Sequence, residues 1–151
     1  MQVNTKAYGK VEVDERQIIQ FPMGLFGFET LHDYVLMDAR QQPFYWLQSL
    51  EVESVAFVLI KPNVFRSEYK PAVMKSELIA LKLESESDEN CLVFSIVTFH
   101  DDDQTMTANL QGPVIINRNL RSGKQCISLD SRWKTRHNIA EELAVKKDNV
   151  C

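Results

Sequence analysis

Chemistry needs side chains that can ligate, attack or move protons, and this chain holds few of them in useful company. His32, His100 and His137 lie in three separate regions, and no pair has the i, i+4 spacing that sets two imidazoles on one helical face for a metal. The run His100-Asp101-Asp102-Asp103 could offer hard oxygen ligands to a cation, and a metal-dependent or hydrolytic enzyme could be built on it. It lacks the alternate spacing and turn glycine of a calcium loop, so the plainer reading is a solvated acidic loop, and no metal is assigned. Neither a GxSxG elbow nor a catalytic-cysteine signature occurs. Cys91, Cys126 and Cys151 are odd in number and widely spaced, which fits incidental thiols in a reducing compartment better than a disulfide framework or a CxxC pair. Neither catalysis nor a cofactor is expected.

The stretch FPMGLFGFETL, Phe21 to Leu31, tests another chemistry, the cradling of phosphate. Gly24 and Gly27 give GxxG, not GxGxxG or GxxxxGK[ST], and no lysine or strong helix follows to supply charge and an amide nest. The glycines read as turn residues, with Gly27 at positive φ and with Phe21 and Phe28 packing inward on either side. The direction of Phe26 is left open by pattern alone.

Charge also narrows the partners. The chain has 151 residues, 44% of them hydrophobic, and a net charge of −4. From Glu84 to Asp103 there are seven acids and no Lys or Arg, whereas beyond Ser131 Arg132, Lys134, Arg136, Lys146 and Lys147 outnumber the acids. An acidic body repels phosphate backbones, so direct nucleic-acid binding is disfavoured and a basic partner is the natural complement. No apolar run approaches the length of a membrane span and the N-terminal stretch lacks a signal-like apolar region, so a cytoplasmic protein is expected.

The elements that must position these residues read as mostly antiparallel β. Alternation and β-branched or aromatic runs predict strands over Val3 to Ala7, Gly9 to Val13, Gln17 to Phe21, Tyr34 to Met37, Phe44 to Gln48, Val55 to Ile60, Cys91 to Phe99, Met106 to Leu110, Val114 to Ile116 and Gln125 to Ser128. Asp14-Glu15 between two such runs predicts a tight hairpin, and Arg118 to Lys124, which contains Ser122-Gly123, predicts another. Helices are few: a turn near Glu29, a short helix over Met74 to Leu81, and a C-terminal helix from about Ile139 to Lys147, where Asn138 and Glu141 have capping-box spacing. The apolar face of that last helix, Ile139, Ala140, Leu143 and Ala144, is narrow, so it must dock on the body or on another molecule.

Two aromatic groups could recognise a partner. In PFYWLQSL, Pro43 to Leu50, Tyr45 and Trp46 lie on opposite strand faces, and both faces carry large apolar groups; burial of both is the competing reading. Trp133, beside Arg132, Lys134 and Arg136, could stack on a partner or anchor the chain.

Taken together, several motifs resemble the FliW family of bacterial flagellar assembly factors. They are Phe21-Pro22-x-Gly24-Leu25-x-Gly27-Phe28-Glu29, Pro43-Phe44-x-Trp46-Leu47-Gln48-Ser49, Asn109-Leu110-x-x-Pro113-x-x-x-Asn117, Gly123-x-Gln125 and Arg136-His137, in family order along nearly the whole chain. The resemblance implies a small, partly open β-barrel with short helices, residues 1–130 forming the barrel and 131–151 a C-terminal segment of the same domain. It implies a non-enzymatic role in the cytoplasm, with two partners, flagellin and the RNA-binding translational repressor CsrA. Secretion of flagellin frees the factor to bind CsrA and permit flagellin translation; accumulated flagellin occupies it and releases CsrA to repress. A β-barrel module with other partners is the alternative from the same class.

On that resemblance the C-terminal segment, with Trp133, Arg136, His137, Ile139 and Leu143, is assigned to CsrA, and aromatic surface near Phe26, Tyr45 and Trp46 to flagellin. Three residues depart from the family pattern. Phe26 stands where a proline is usual, Asn138 stands where proline often follows Arg-His, and Arg66 to Tyr69 replaces a Pro-Asp-Tyr-like segment.

Overall fold

A sheet whose strands alternate apolar and polar side chains can bury one face completely by curling until its edges meet. The computed structural model, which describes residues 1–143, shows that solution. Strands β3 (Ile18–Gln20), β4 (Asp33–Asp38), β5 (Tyr45–Ser49), β6 (Ala56–Ile60) and β7 (Cys91–His100) pair antiparallel in succession. β9 (Val114–Asn117) pairs with β7 and with β10 (Ser122–Gln125), and β10 meets β3, so seven strands form a ring. The mostly-β barrel expected from the resemblance is present, and its ring is complete. Its thinnest seam is β3 to β10, which run parallel and share the single register pair Gln20 and Ser122.

β7 is long enough to serve two sheets. Cys91 to Phe94 pair with β9 inside the ring, while Val97 to His100 run on to pair with β8 (Thr105–Ala108), which in turn pairs with the short β11 (His137–Asn138). The separate hairpin of β1 (Gln2–Thr5) and β2 (Gly9–Glu12) lies against the outside of β4 and β5, where Val3, Val13, Val35 and Met37 form one cluster. Helix α1 (Lys75–Ala80) falls where the sequence predicts it and covers the outer side of β9 through Leu78, Leu81 and Ile115. No described helix is long and apolar enough to cross a membrane.

The ring is filled by Ile19, Phe21, Leu25, Tyr34, Leu47, Leu59, Phe94, Val114 and Ile116. Burial of an aliphatic or aromatic side chain of this size contributes about 1.5–3 kcal/mol each, so this interior is the main source of stability. Burial also pushes the Tyr34 hydroxyl up to about 12, keeping it neutral inside the barrel.

Local structure departs from the sequence expectation at one predicted hairpin and agrees at the other. Asp14-Glu15 does not form a hairpin. Asp14 instead caps a 3-10 turn over Glu15–Gln17, its Oδ1 accepting from Arg16 N at 2.8 Å while Gln17 Oε1 accepts from Asp14 N at 2.8 Å, and the freed β2 pairs backward with β1. The hairpin expected over Arg118 to Lys124 is present between β9 and β10; its turn lies just before Ser122-Gly123, with Arg121 at φ 55 and Asn117 Oδ1 accepting from Asn119 N and Leu120 N.

In the opening aromatic stretch, Phe28 N donates to Leu25 O at 2.7 Å, which makes Phe26 and Gly27 the central residues of a β-turn. Gly27 has φ +86, the sign a type II turn requires at its second central residue, and proline is favoured at the first, the place Phe26 occupies. Phe21 is fully buried as expected, but Phe28 is about one-third exposed and lies edge-on to Phe57 at 5.1 Å. Leu25, 1% exposed, is the second inward anchor, because the turn swings Phe28 to the barrel rim.

The two glycines differ in what they tolerate. A Cβ on Gly27 would meet nothing within 4 Å, whereas one on Gly24 would fall 2.5 Å from Glu29 Cα and 2.6 Å from Phe28 O. Gly27→Ala therefore carries only the left-handed backbone penalty, about 1–2 kcal/mol. Gly24→Ala adds an overlap of ~1–3 kcal/mol. Thermal melts should rank Gly24→Ala clearly below Gly27→Ala, and equal melting temperatures would contradict the close approach at Gly24.

Candidate partner-binding surfaces

Phe26 is offered to solvent. Its ring is 52% exposed and lines a groove with Met74, Ile127 and Leu129, which are 55%, 56% and 68% exposed. The groove measures about 380 Å³, and its charges, Glu77 and Lys124, pair with each other at 3.1 Å. Gln125 positions the Phe26 turn: its Oε1 accepts from Phe26 N at 2.9 Å and its Nε2 donates to Gly112 O at 3.0 Å. Sequence reading finds Phe26 but misses Met74, Ile127 and Leu129. Their signal is faint: Ile127 and Leu129 alternate with the buried Cys126 and Ser128, and only the sheet neighbours decide which set faces out.

Tyr45 and Trp46 are not part of that groove. Tyr45 turns toward the barrel interior, edge-on to Phe94 at 5.2 Å, with Lys61 Nζ 5.8 Å from its ring centre. Trp46 faces the β1–β2 hairpin, where its Nε1 donates to Tyr8 Oη at 3.1 Å and the two rings meet edge to face at 6.4 Å. Both are half-buried, so both faces of β5 are covered within the chain.

The C-terminal segment folds back on the body. Trp133 is 1% exposed, donates from Nε1 to Lys70 O at 3.1 Å and packs at a tilt against Tyr69 at 4.8 Å, with Arg66 and Arg132 at 4.9 and 4.8 Å from its ring centre. Its role is that of an anchor. Burial likewise pushes the Tyr69 hydroxyl up, and that hydroxyl donates to Leu110 O at 2.8 Å.

His137 Nε2 accepts from Lys134 N at 2.8 Å, so Nδ1 carries the proton and donates to Glu142 Oε1 at 3.1 Å. Glu142 also pairs with Arg66. Asn138 Oδ1 accepts from Glu141 N at 3.0 Å and caps the helix that starts at Ile139, as its sequence spacing predicts. Ile139, 2% exposed, and Leu143 lay that helix on the cluster of Phe65, Val97 and Trp133. Ala144 to Lys147, the rest of the expected helix, lie outside the described residues.

Beside this segment stands the acidic tip of the β7–β8 hairpin. Arg136 Nη2 donates to His100 Nδ1 at 3.3 Å, and His100 Nε2 then donates to Thr107 Oγ1 at 2.8 Å, so both ring nitrogens are engaged. Asp103 accepts from Thr105 Oγ1 at 2.6 Å, which holds its carboxyl below the ordinary aspartate value. Asp101, Asp102 and Asp103 are exposed, and next to them the cross-strand pair Phe99 and Met106 is 54% and 37% exposed. Among the described residues no three His, Cys, Asp or Glu side chains converge as a metal site. Burial pushes the Cys91 thiol up to about 11 and raises that of Cys126, so both stay protonated near neutral pH.

A family model described as FliW protein matches residues 2–139. The chain belongs to the FliW family. It is 44% identical to a flagellar assembly factor FliW of Leptospira biflexa, with 93% of this chain and 92% of that protein covered. Identity to the Treponema denticola FliW is 41%, covering 95% and 96%. A crystal structure of a flagellar assembly factor FliW superimposes with a TM-score of 0.81 at 32% identity, over 92% of this chain and 96% of that one.

The residues that mark this chain as a FliW protein are mostly buried connectors. Gln48 Oε1 accepts from Lys6 N and ties the β1–β2 hairpin to the barrel. Asn109 Oδ1 accepts from Gln111 N and Gly112 N, Asn117 Nδ2 donates to Leu81 O, and Gln125 clamps the Phe26 turn. Leaving such groups unsatisfied costs ~1–3 kcal/mol each, which explains why polar side chains sit in these places. The distinction between anchor and surface is measurable: Trp133→Ala should destabilise by ~3–5 kcal/mol in urea titrations. Arg136→Ala should stay within about 0.5 kcal/mol of the parent. A mild Trp133→Ala variant would contradict its anchoring role.

Proposed function

We propose that this chain is a cytoplasmic flagellar assembly factor that works by binding, not catalysis, with flagellin and the translational repressor CsrA as alternating ligands. The observation that carries this reading is family membership along residues 2–139, joined to a FliW-like fold over the same length. Two surfaces of different physical character support a two-partner role. The Phe26 groove is apolar with its charges paired internally, which suits a ligand held by burial; we assign it to flagellin. Tyr45 and Trp46, packed within the chain, lie outside that groove.

The second surface joins the outer side of the C-terminal segment to the acidic hairpin tip. Trp133, His137, Ile139 and Leu143 hold the segment in place, while the exposed Arg136 reaches His100, which precedes Asp101 to Asp103. A basic RNA-binding protein gains attraction there, and its RNA is repelled. Binding CsrA at this surface while flagellin is absent would relieve repression of flagellin translation.

Calorimetric titration of the purified chain with flagellin and with CsrA tests the reading, and failure to bind either would remove it. Phe26→Asp should weaken flagellin binding roughly tenfold or more, about 1.4 kcal/mol, with an almost unchanged melting temperature. Replacing Asp101, Asp102 and Asp103 together by Asn should weaken CsrA binding and flatten its dependence on salt, because the screened charge term is lost. An unaltered salt dependence would move CsrA to another face.

A further inference from the structure

Beside the Phe26 groove one residue is left with an open main chain. Beyond β10 the backbone stays extended, and Cys126 N and Ser128 N donate to Pro113 O and Gln111 O, each at 2.8 Å. Ile127, between them, turns its own N–H and C=O to the opposite edge, as alternation in an extended strand demands. Among the described residues neither group has a partner. The next amide on that edge, Leu129 N, is taken by Ala72 O at 2.8 Å, and on the other side Gln125 turns its amide oxygen to Phe26 N. The open donor and acceptor thus sit in a slot between the Phe26 turn and the segment from Ala72 to Met74, walled by exposed apolar side chains.

We propose that this slot takes an extended, uncharged, apolar peptide segment by strand addition. The segment's main chain pairs with Ile127 N–H and C=O, and its alternate side chains enter the groove between Phe26, Met74 and Leu129. The inference rests on the reading of the Phe26 face as partner-facing, and not on which protein supplies the segment. A helical ligand satisfies its own backbone and would leave the Ile127 groups unpaired. A second copy of this chain would need about 800 Å² per partner, whereas four side chains offer a patch of only a few hundred Å². A charged ligand would find only the internally neutralised Glu77 and Lys124.

The test selects a phage-displayed library of random dodecapeptides on the full chain, then measures amide exchange at Ile127 with a selected peptide bound. The expected peptides carry apolar residues at alternate positions and slow exchange of the Ile127 amide roughly tenfold or more. Ile127→Pro, which deletes the N–H and keeps an apolar side chain, should lose roughly tenfold in peptide affinity, while Ile127→Val should not. If Ile127→Pro disturbs folding, the exchange measurement on the parent chain decides alone. Absence of any selected peptide, helical bound peptides, unchanged exchange at Ile127, or self-association that blocks the peptides would each overturn the proposal.

Purified flagellin forms a separate arm. Flagellin that binds the parent chain without protecting the Ile127 amide would refute strand addition and leave the assembly-factor reading standing. Peptides that pair at Ile127 while flagellin fails to bind would do the reverse.

Discussion

The ring closes because Gly123 has no side chain. A Cβ there would fall 2.5 Å from Phe21 Cε1, so the Phe21 ring occupies the space against the β10 backbone that any other residue would fill. This contact lies where β3 and β10 share their single register pair, and where the ladder between them stops. A buried aromatic thus does at the seam what hydrogen bonds do elsewhere in the ring. The chain then leaves β3 through Pro22 and Gly24, reaches the Gly27 turn, and is caught again on β10 by Gln125. Presentation of Phe26 and the open edge at Ile127 both follow from β3 turning away at that point.

Charge and apolar surface are distributed along the fold with some economy. β7 carries acidic loops beyond both of its ends: Glu84 to Glu89 before Cys91, and Asp101 to Asp103 after His100. Within the first loop, Glu86 accepts from Ala72 N and Val73 N at 3.1 and 3.0 Å and Asp88 accepts from Glu84 N and Asn90 N at 3.2 and 2.9 Å, so two of its carboxylates have a structural duty. The second loop is held mainly by bonds within the hairpin and leaves its carboxylates to solvent. The Phe26 groove, by contrast, keeps its one ion pair closed on itself. The two surfaces therefore differ in the range over which they can act, one through a screened field and one only on contact.

Much of the fold is legible in the alternation of side chains. The run Tyr34 to Met37, the faces of Tyr45 and Trp46, the short helix at Lys75 and the cap at Asn138 all follow from local pattern and local chemistry. Asp14 is ambiguous by pattern because Asp serves turns and helix caps alike, and the choice between them lies in Gln17, three residues on. Exposure is set less locally still. Trp133 and Phe28 have similar sequence surroundings to residues that end elsewhere, and only the second layer of chain outside β6 and β7 decides that Trp133 is covered. The same holds for Ile127 and Leu129, whose side of the strand is left bare because nothing in the described chain crosses it.

The β3–β10 seam also bears on the order of folding. Gln20 and Ser122 meet across most of the chain, so the loop closed by their contact is among the longest in the molecule and its entropy must be overcome late. The antiparallel run from β3 through β7 can form from neighbours in sequence, as an open curved sheet with Phe21 at its edge. Only when β9 and β10 have been added can that edge be covered. A chain interrupted before Gly123 would hold six of the seven ring strands and most of the interior side chains, yet would expose the aromatic that ought to seal them.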